Sequence, residues 1–335
     1  MVQKIVAIAL GDPAGIGPEI ALKAAADART RAACRPLLVG DRRAIDAHAK
    51  ACGIDVEVRN VSSPAEALAL PDNVVALWHH DLFGNEELRL GEISGLHGRV
   101  ATQSAAAAIA AAMRGDVAAV VAAPQTEKAI QLAGIEFDGY PTFVARCTGT
   151  PVDDAYLMLC FDEKRIVHVT LHVSVRKALD LITRERVQDV LEATAKVLRH
   201  FGISHPRIAV GGLNPHASEH GLFGNDEAEI IEPAMEAARA TTGAVIEGPF
   251  GADTMFHKSG YDAFIVMIHD QGHLAAKLLA TNRTAGLTIG TPILFSSVAH
   301  GSALDIAGQN KASPEAVIEA VRRLAGAPAL AQAAE

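Results

Sequence analysis

The chain has few aromatic residues and no long apolar run. Aromatic residues make up 4% of its 335 residues, with a single tryptophan, whereas half of all residues are hydrophobic. This balance favours small side chains that let helices pack closely on a sheet rich in valine and isoleucine. No apolar stretch reaches the 18 residues expected of a membrane-spanning helix, which argues against a membrane partner.

Paired cysteines and a surplus of basic residues are also missing. The four cysteines form no C-x-x-C motif, which predicts reduced thiols in a cytoplasmic protein. The N-terminal segment lacks the apolar core and cleavage site of a signal peptide. A formal net charge of −9 without a basic patch argues against a nucleic-acid partner. The net charge does not exclude a small anionic substrate, because the binding of a small anion depends on the lysines and arginines near its site.

Strand-like and helix-like patterns alternate along the chain, which predicts an α/β fold with a largely parallel sheet. The length is sufficient for two lobes. We expect a first lobe of residues 1–125 plus 293–335 and a second lobe of residues 126–292. The strand-like runs are Ile5–Leu10, Pro36–Val39, Val117–Ala122, Ile166–Leu171, Ile208–Leu213 and Phe264–Ile268.

Three histidines follow buried strand-like runs: His172, His216 and His269. Strand ends are where α/β proteins place their chemistry. Three neutral imidazoles with an open fourth position suit a catalytic divalent metal, with zinc the first candidate. Iron, cobalt, nickel, manganese and magnesium stay open. The alternative is three unrelated histidines that are satisfied by hydrogen bonds.

A glycine-rich loop, GDPAGIGPE at residues 11–19, links the first strand to the first helix. It predicts a tight turn whose backbone amides face outward and bind an anion, or else a purely structural turn. The dinucleotide fingerprint G-x-G-x-x-G fails, since its last glycine falls at Ile20.

A second small-residue segment covers residues 286–308. Gly290 lies in its turn, and His300, Gly301 and Ser302 precede an expected helix from Ala303. Such a loop could hold the phosphate or ribose of a cofactor. Taken alone, the pattern favours the simpler explanation, a tight strand-to-helix connection.

Six motifs together resemble the 4-hydroxythreonine-4-phosphate dehydrogenase family over about residues 4–325. They are GDPAGIGPE, VTLH, GLNPHASE, GPFGADTMF, IHDQGH and SSVAHGSALDIAG. The resemblance implies a two-lobed α/β/α sandwich of the isocitrate and isopropylmalate dehydrogenase type, with the active site in the inter-lobe cleft at a dimer interface. It also implies NAD, a homodimer and a divalent metal shared across the subunits by His172, His216 and His269.

The family's phosphate-binding pattern is altered here. Its Gly-His-Thr-Glu-Phe run is Gly139–Phe143, so that the His-Thr pair becomes Tyr140-Pro141. Its lysine is kept as Lys277, its asparagine falls at Gly286, and its arginine falls at Phe295. Loss of an arginine fork removes a bidentate anion clamp. The pocket is therefore expected to bind a carbon ring better than a phosphate.

These departures resemble the branch called terephthalate dihydrodiol dehydrogenase. Further likeness lies in residues 165–179, 214–224, 269–280 and 296–308. The resemblance implies NAD- and metal-dependent oxidative decarboxylation of a cis-dihydrodiol dicarboxylate to 3,4-dihydroxybenzoate, CO2 and NADH. Oxidation of 4-hydroxythreonine 4-phosphate or a related phosphorylated hydroxy acid is the alternative. A non-catalytic metal-binding protein is a more remote one.

Family position also assigns roles to individual side chains. Lys277 is expected to pair with a substrate carboxylate, and Tyr140 and Thr142 to contact the substrate, although Tyr140 could simply pack. Asp270 and Asp253 are expected to orient metal-binding histidines, or else to cap helices.

Overall fold

The computed structural model describes residues 3–280, 284–298 and 300–327. The chain divides into two compact units, unit 1 with residues 1–152 and 291–335 and unit 2 with residues 153–290. Residues 328–335 of the expected first lobe lie outside the described residues. No helix in the described ranges is long and apolar enough to cross a membrane.

The first stretch of unit 1 alternates strands and helices. Its elements are β1 (Ile5–Ala9), α1 (Gly17–Ala26), α2 (Ala28–Ala33), β2 (Arg35–Gly40), α3 (Arg42–Cys52), β3 (Val58–Val61), β4 (Val75–His79), α4 (Gly95–Met113), β5 (Ala119–Ala122), α5 (Glu127–Leu132) and α6 (Tyr140–Thr148).

Unit 2 follows with the same alternation. Its elements are β6 (Tyr156–Phe161), β7 (Lys164–His168), α7 (Val175–Leu181), α8 (Arg184–His200), β8 (Arg207–Gly211), α9 (Glu232–Thr242), β9 (Val245–Phe250), β10 (Ala263–Val266), α10 (His269–Leu279) and β11 (Ala285–Ile289). The chain then returns to unit 1 with β12 (Phe295–Val298) and α11 (Glu315–Ala325).

The sheet of unit 1 is parallel, with the strand order β3-β4-β2-β1-β5-β12. All five residues of β1 are buried, as a parallel strand covered on both faces requires. Alanines of α4 form much of the adjoining core, because a small side chain lets the helix approach the sheet.

In unit 2 the strand order is β11-β6-β7-β10-β8-β9. Strands β7, β10, β8 and β9 run parallel, whereas β6 is antiparallel to both β7 and β11. The α/β class with largely parallel pairing is therefore confirmed.

The boundary between the units differs from the expected one. It falls after Val152 rather than after residue 125, and the return falls at Thr291 rather than at residue 293. The reason is α6, a helix that the sequence pattern did not reveal: its Phe143 and Val144 belong to the same apolar core as α4. Residues 126–152, which were expected to begin the second lobe, therefore belong to unit 1.

Some secondary-structure predictions were wrong in detail. The strand expected at residues 166–171 ends at His168. The helix expected from Ala303 is a three-residue 3-10 turn, Leu304–Ile306, which is too short to present a helix N-terminus to a ligand. A π turn, Glu227–Ile231, precedes α9.

Candidate active site

The topology of unit 2 brings the three predicted histidines to one edge of its sheet. Strand β10 pairs in parallel with β7 on one side and with β8 on the other. His172 follows β7, His216 follows β8, and His269 begins the helix after β10. Because parallel strands end at the same edge, all three side chains start from that edge.

His172 and His269 form a pair. Their ring centres are 5.6 Å apart, and both line a pocket of about 270 Å³. The two chain segments are held by the amides of Val169 and Thr170, which donate to the carbonyls of Val266 and Met267. The remaining walls are mostly apolar: Leu171, Val173, Val175, Ala178 and Ile268.

The pair fits a metal ion. Two imidazoles bound tetrahedrally at Zn–N distances of 2.0–2.1 Å place their ring centres about 5 Å apart, close to the observed separation. Asp270 orients His269, since its Oδ1 lies 2.7 Å from Nδ1 of that ring, and Nε2 is then the nitrogen that could bind a metal. Ile268, not Asp270, occupies the N-cap of α10, so the alternative role of Asp270 as a helix cap is wrong.

Two further histidines support His269. His273 stacks on it with ring centres 3.7 Å apart and an interplanar angle of 8°. Nδ1 of His273 lies 3.1 Å from Nε2 of His168, and Nδ1 of His168 faces the carbonyl of Leu157. Since a carbonyl only accepts, each Nδ1 carries the proton in this chain of hydrogen bonds.

Burial keeps these two supporting imidazoles neutral. It lowers the pKa of His168 to about 3 and that of His273 to about 4, with neighbouring histidines adding to both shifts. Two neutral rings behind His269 add no positive charge that would oppose a bound cation. His168 is fully buried.

His216 lies on an unusual segment of backbone. Five consecutive residues, His216–His220, have positive φ angles between 44° and 67°. For residues with a Cβ this region costs roughly 1–2 kcal/mol each, and such strain concentrates at functional sites. Asp253 lies 3.8 Å from Nδ1 of His216. Thr254 occupies the N-cap of the next turn, so Asp253 is not a helix cap.

Two residues that sequence reasoning missed hold the histidine-bearing loops. Oε1 of Glu227 accepts the amides of Leu213 and Asn214, both at 2.8 Å, and its Oε2 accepts from the Asn214 side chain. Gln271 accepts the amides of Met267 and Ile268 through Oε1 and donates to the carbonyl of Gly212 through Nε2. Gln271 thereby joins the loop of His269 to the loop of His216.

The three histidines do not converge within one chain. Within residues 3–280, 284–298 and 300–327, one trio of His, Cys, Asp or Glu ligands has all its atoms within 4.8 Å of one another, and it lies in unit 1: Glu19, His48 and Cys52. Metal binding by all three predicted histidines stays a prediction, since their ligand atoms do not all lie within 4.8 Å of one another.

Lys277 is exposed on α10, one turn after His273. It lies four residues after His273, so the two side chains share one face of the helix. Its expected role in binding a substrate carboxylate stays a prediction.

In unit 1, Tyr140 is part of an aromatic cluster. Its ring lies 4.9 Å from that of Phe295, and its hydroxyl donates to the carbonyl of Ala123. Burial raises the pKa of this hydroxyl. The hydroxyl of Thr142 reaches Asp138 and donates to the carbonyl of Gly139. Substrate contact by Tyr140 and Thr142 stays a prediction, since both hydroxyls already have protein partners.

The expectation of outward-facing amides in the loop at residues 11–19 was wrong. Every residue of the loop is buried. The amide of Asp12 donates to the carbonyl of Pro124, that of Ala14 to the Asp12 carboxylate, and that of Ile16 to the carbonyl of Ser302. The loop is therefore a structural turn, in which the carboxylate of Asp12 accepts an amide that could otherwise bind an anion.

The residues expected to hold a cofactor differ in their surroundings. Gly301 is exposed, whereas Ser302 is buried and contacts the glycine loop of unit 1. Nδ1 of His300 faces the carbonyl of Gly301. Gly290 belongs to unit 2, where a Cβ would lie 1.9 Å from the carbonyl oxygen of Asp154. Cofactor binding by the four residues stays a prediction, and packing alone accounts for Gly290.

Gly290→Ala is expected to destabilise the protein by roughly 3 kcal/mol or more, because a positive φ and a backbone clash add. Gly243→Ala is the matched control: its φ is +65°, like the +86° of Gly290, but no atom lies within 4 Å of its Cβ. The control should cost about 1 kcal/mol. Urea unfolding measures both. Equal stabilities, with NAD⁺ binding lost only in Gly290→Ala, would assign this glycine to the cofactor instead.

Known proteins resemble this chain over nearly its whole length. It is 39% identical, over 98% of this chain and 99% of the relative, to a 1,2-dihydroxy-3,5-cyclohexadiene-1,4-dicarboxylate dehydrogenase from Comamonas sp. The crystal structure of a 4-hydroxythreonine-4-phosphate dehydrogenase from Klebsiella pneumoniae matches with a TM-score of 0.86 and 36% identity, over 97% of this chain and 98% of that one.

A terephthalate 1,2-cis-dihydrodiol dehydrogenase from Burkholderia xenovorans LB400 matches with a TM-score of 0.74 and 39% identity, over 98% of this chain and 99% of that one. The family described as "Pyridoxal phosphate biosynthetic protein PdxA" matches residues 32–324. The relatives named here are dehydrogenases, and the chain belongs to the PdxA family.

Proposed function

We propose that this protein is an NAD- and metal-dependent dehydrogenase that oxidatively decarboxylates a cis-dihydrodiol dicarboxylate of the terephthalate type. The observation that carries the proposal is the contact between Tyr140 and Phe295, with ring centres 4.9 Å apart. Both residues stand where the phosphate-using pattern has polar side chains. Phe295 is fully buried and Tyr140 packs against it, so the two replacements form one apolar cluster where the pattern has polar groups.

The proposed reaction balances without a further co-reactant. A hydride leaves the secondary carbinol carbon for NAD⁺, and the hydroxyl proton is released. The new ketone lies β to the neighbouring ring carboxylate. That carboxylate leaves as CO2, its bonding electron pair enters the ring, and tautomerisation gives 3,4-dihydroxybenzoate and NADH.

His172 and His269 of one chain, with His216 of a second copy, are the proposed metal ligands. A divalent ion held there would act as a Lewis acid that favours hydroxyl deprotonation and polarises the ketone. Asp270, 2.7 Å from Nδ1 of His269, is the proposed orienting partner of that imidazole, and Asp253, 3.8 Å from Nδ1 of His216, is the proposed partner of the other. The apolar pocket walls keep water from the reacting ring, and Lys277 is the proposed partner of a substrate carboxylate.

A second copy of the chain is the proposed partner. Eight large apolar side chains on or beside the histidine-bearing segments of unit 2 are at least 42% exposed in the single chain. Apolar groups of this number near one site mark an interaction surface. A symmetric dimer would cover them and supply the third histidine. They are Val173, Val175, Leu179, Leu222, Phe223, Leu274, Leu278 and Leu279.

NAD is the proposed hydride acceptor, since the full-length relatives are dehydrogenases. His300, Gly301 and Ser302 are the proposed contacts, on the strength of the family resemblance. A cytoplasmic location is proposed with it, because all four cysteines are free thiols.

A second candidate function is the oxidation of 4-hydroxythreonine 4-phosphate. The Klebsiella pneumoniae structure, named for that activity, matches this chain with the higher TM-score of 0.86, against 0.74 for the terephthalate dihydrodiol dehydrogenase. Lys277, which matches the lysine of the family, could pair with the phosphate of this substrate or with a carboxylate of the dihydrodiol.

NADH formation with the two substrates, measured side by side on metal-loaded enzyme, tests the proposal. We expect kcat/KM to favour the dihydrodiol dicarboxylate by on the order of 100-fold, because the phosphate lacks a bidentate clamp. Release of one CO2 per NADH should accompany the reaction. A preference of that size for the phosphate would establish the second candidate, and NAD⁺ binding without turnover of either substrate would argue for a non-catalytic protein.

A further inference from the structure

A cluster of potential metal ligands is buried in unit 1. His48 and Cys52 lie four residues apart on α3 and so share one helix face, and Glu19 faces them from α1. One ligand atom from each lies within 4.8 Å of the others. His48 and Glu19 are fully buried, and Cys52 is 6% exposed.

The imidazole of His48 is held in the form that binds a metal. Its Nε2 lies 2.9 Å from the carbonyl oxygen of Pro13. A carbonyl oxygen only accepts, so Nε2 carries the proton and Nδ1 keeps its lone pair. Burial lowers the pKa of His48, which keeps the ring neutral. Nδ1 is buried and has no hydrogen-bond partner within the described ranges. A backbone carbonyl behind one ring nitrogen is the usual support for metal binding by the other.

Glu19 also has an oxygen to spare. Its Oε1 accepts from Lys23 at 2.6 Å and from the amide of Ala312 at 3.2 Å. Its Oε2 is buried and forms no hydrogen bond with any described residue. Burial raises the pKa of the free thiol of Cys52.

The charge of the surroundings favours a dication. Asp12, whose charge acts on His48, is buried, and its Oδ2 has no hydrogen-bond partner among the described residues. Two carboxylates and one ammonium, those of Asp12, Glu19 and Lys23, sum to a formal charge of −1. A bound dication that displaces the thiol proton brings the formal sum to zero. An uncompensated buried charge is costly, and this change removes it.

We propose that Nδ1 of His48, Sγ of Cys52 and Oε2 of Glu19 form a second, structural metal site for a thiophilic divalent ion such as zinc. Nitrogen, sulfur and oxygen donors of these types are the ligands that zinc takes in proteins. The site joins α1 to α3 within unit 1, whereas the proposed catalytic histidines belong to unit 2.

Cadmium alone tests the proposal on the metal-free full-length protein. A cadmium–thiolate bond gives an ultraviolet charge-transfer band that histidine and carboxylate ligands do not give, so the proposed catalytic histidines stay silent. One equivalent should develop the band in the wild-type chain. Cys52→Ser should abolish it and weaken binding at this site by at least the roughly 10- to 100-fold that loss of an orienting partner costs.

Cys147→Ser is the matched control, because Cys147 is the exposed cysteine and the first candidate for adventitious binding. It should keep the full band. A band that disappears with Cys147 but survives in Cys52→Ser would overturn the proposal, as would the absence of any band. Cadmium NMR of the wild-type chain needs no variant: a resonance typical of one sulfur ligand supports the site, and one typical of nitrogen and oxygen alone refutes it.

Discussion

His269→Ala is expected to lower kcat/KM by about a thousandfold, equivalent to about 4 kcal/mol of transition-state stabilisation. The substitution removes half of the pair whose ring centres lie 5.6 Å apart, and with it the imidazole that Asp270 orients. His172→Ala should have an effect of the same size. Steady-state rates and metal content measured on the same preparations check both, since loss of rate should follow loss of metal.

His205→Ala is the matched control because His205 is an exposed histidine of the same unit. It should retain both metal and activity. A His269→Ala enzyme with full activity and one tightly bound metal per chain would remove the histidines from the mechanism, whichever substrate is used.

The need for a second chain can be tested with two inactive variants. In a symmetric dimer, a His216→Ala chain keeps the pair of His172 and His269, and a His269→Ala chain supplies the missing His216. Each mixed dimer then has one intact site. Random exchange of subunits makes half of the dimers mixed, so activity should rise from near zero to about a quarter of the wild-type value. A mixture that stays inactive after verified exchange would contradict a shared site.

The sequence was sufficient to locate the edge of the sheet at which the histidines lie. Each of the three follows an apolar run, and parallel strands made of such runs end together. This argument uses only the periodicity and the order of the strands. The predicted location of the histidines is therefore correct even though β7 ends at His168 rather than at residue 171. The aspartates beside His216 and His269 also follow from sequence proximity and motif.

Contacts between distant residues were beyond such reasoning. Gln271 joins two loops by bonding to Gly212, 59 positions away, and no local pattern encodes that pairing. The left-handed backbone at 216–220 contradicts the preferences of its own residues, since none is glycine, and only tertiary contacts can impose it. The prediction of outward-facing amides in the glycine loop was wrong for a related reason, because these amides bond to Pro124 and Ser302, which lie far along the chain.

Glu227→Ala is expected to lower the free energy of unfolding by about 2–4 kcal/mol and to weaken metal binding together with it. Glu227 is 3% exposed, and its carboxylate accepts hydrogen bonds from the backbone amides of Leu213 and Asn214 and from the side chain of Asn214. Each buried donor left without a partner costs about 1–3 kcal/mol. Five residues with positive φ store on the order of 5 kcal/mol of strain, so a loop released from Glu227 should relax and move His216.

Two further substitutions test whether the effect of Glu227 depends on the place of its side chain or on its negative charge. Glu227→Gln keeps one oxygen for the two backbone amides but sets an amide group against the Asn214 side chain, so its effects should be intermediate. Glu229→Gln is the control, since Glu229 is an exposed carboxylate on the same turn, and it should match the wild type. Urea unfolding and zinc titration measure all three variants. If Glu227→Ala lost stability but bound zinc with unchanged affinity, the glutamate would support the fold without positioning His216, and the left-handed segment would owe its geometry to other contacts.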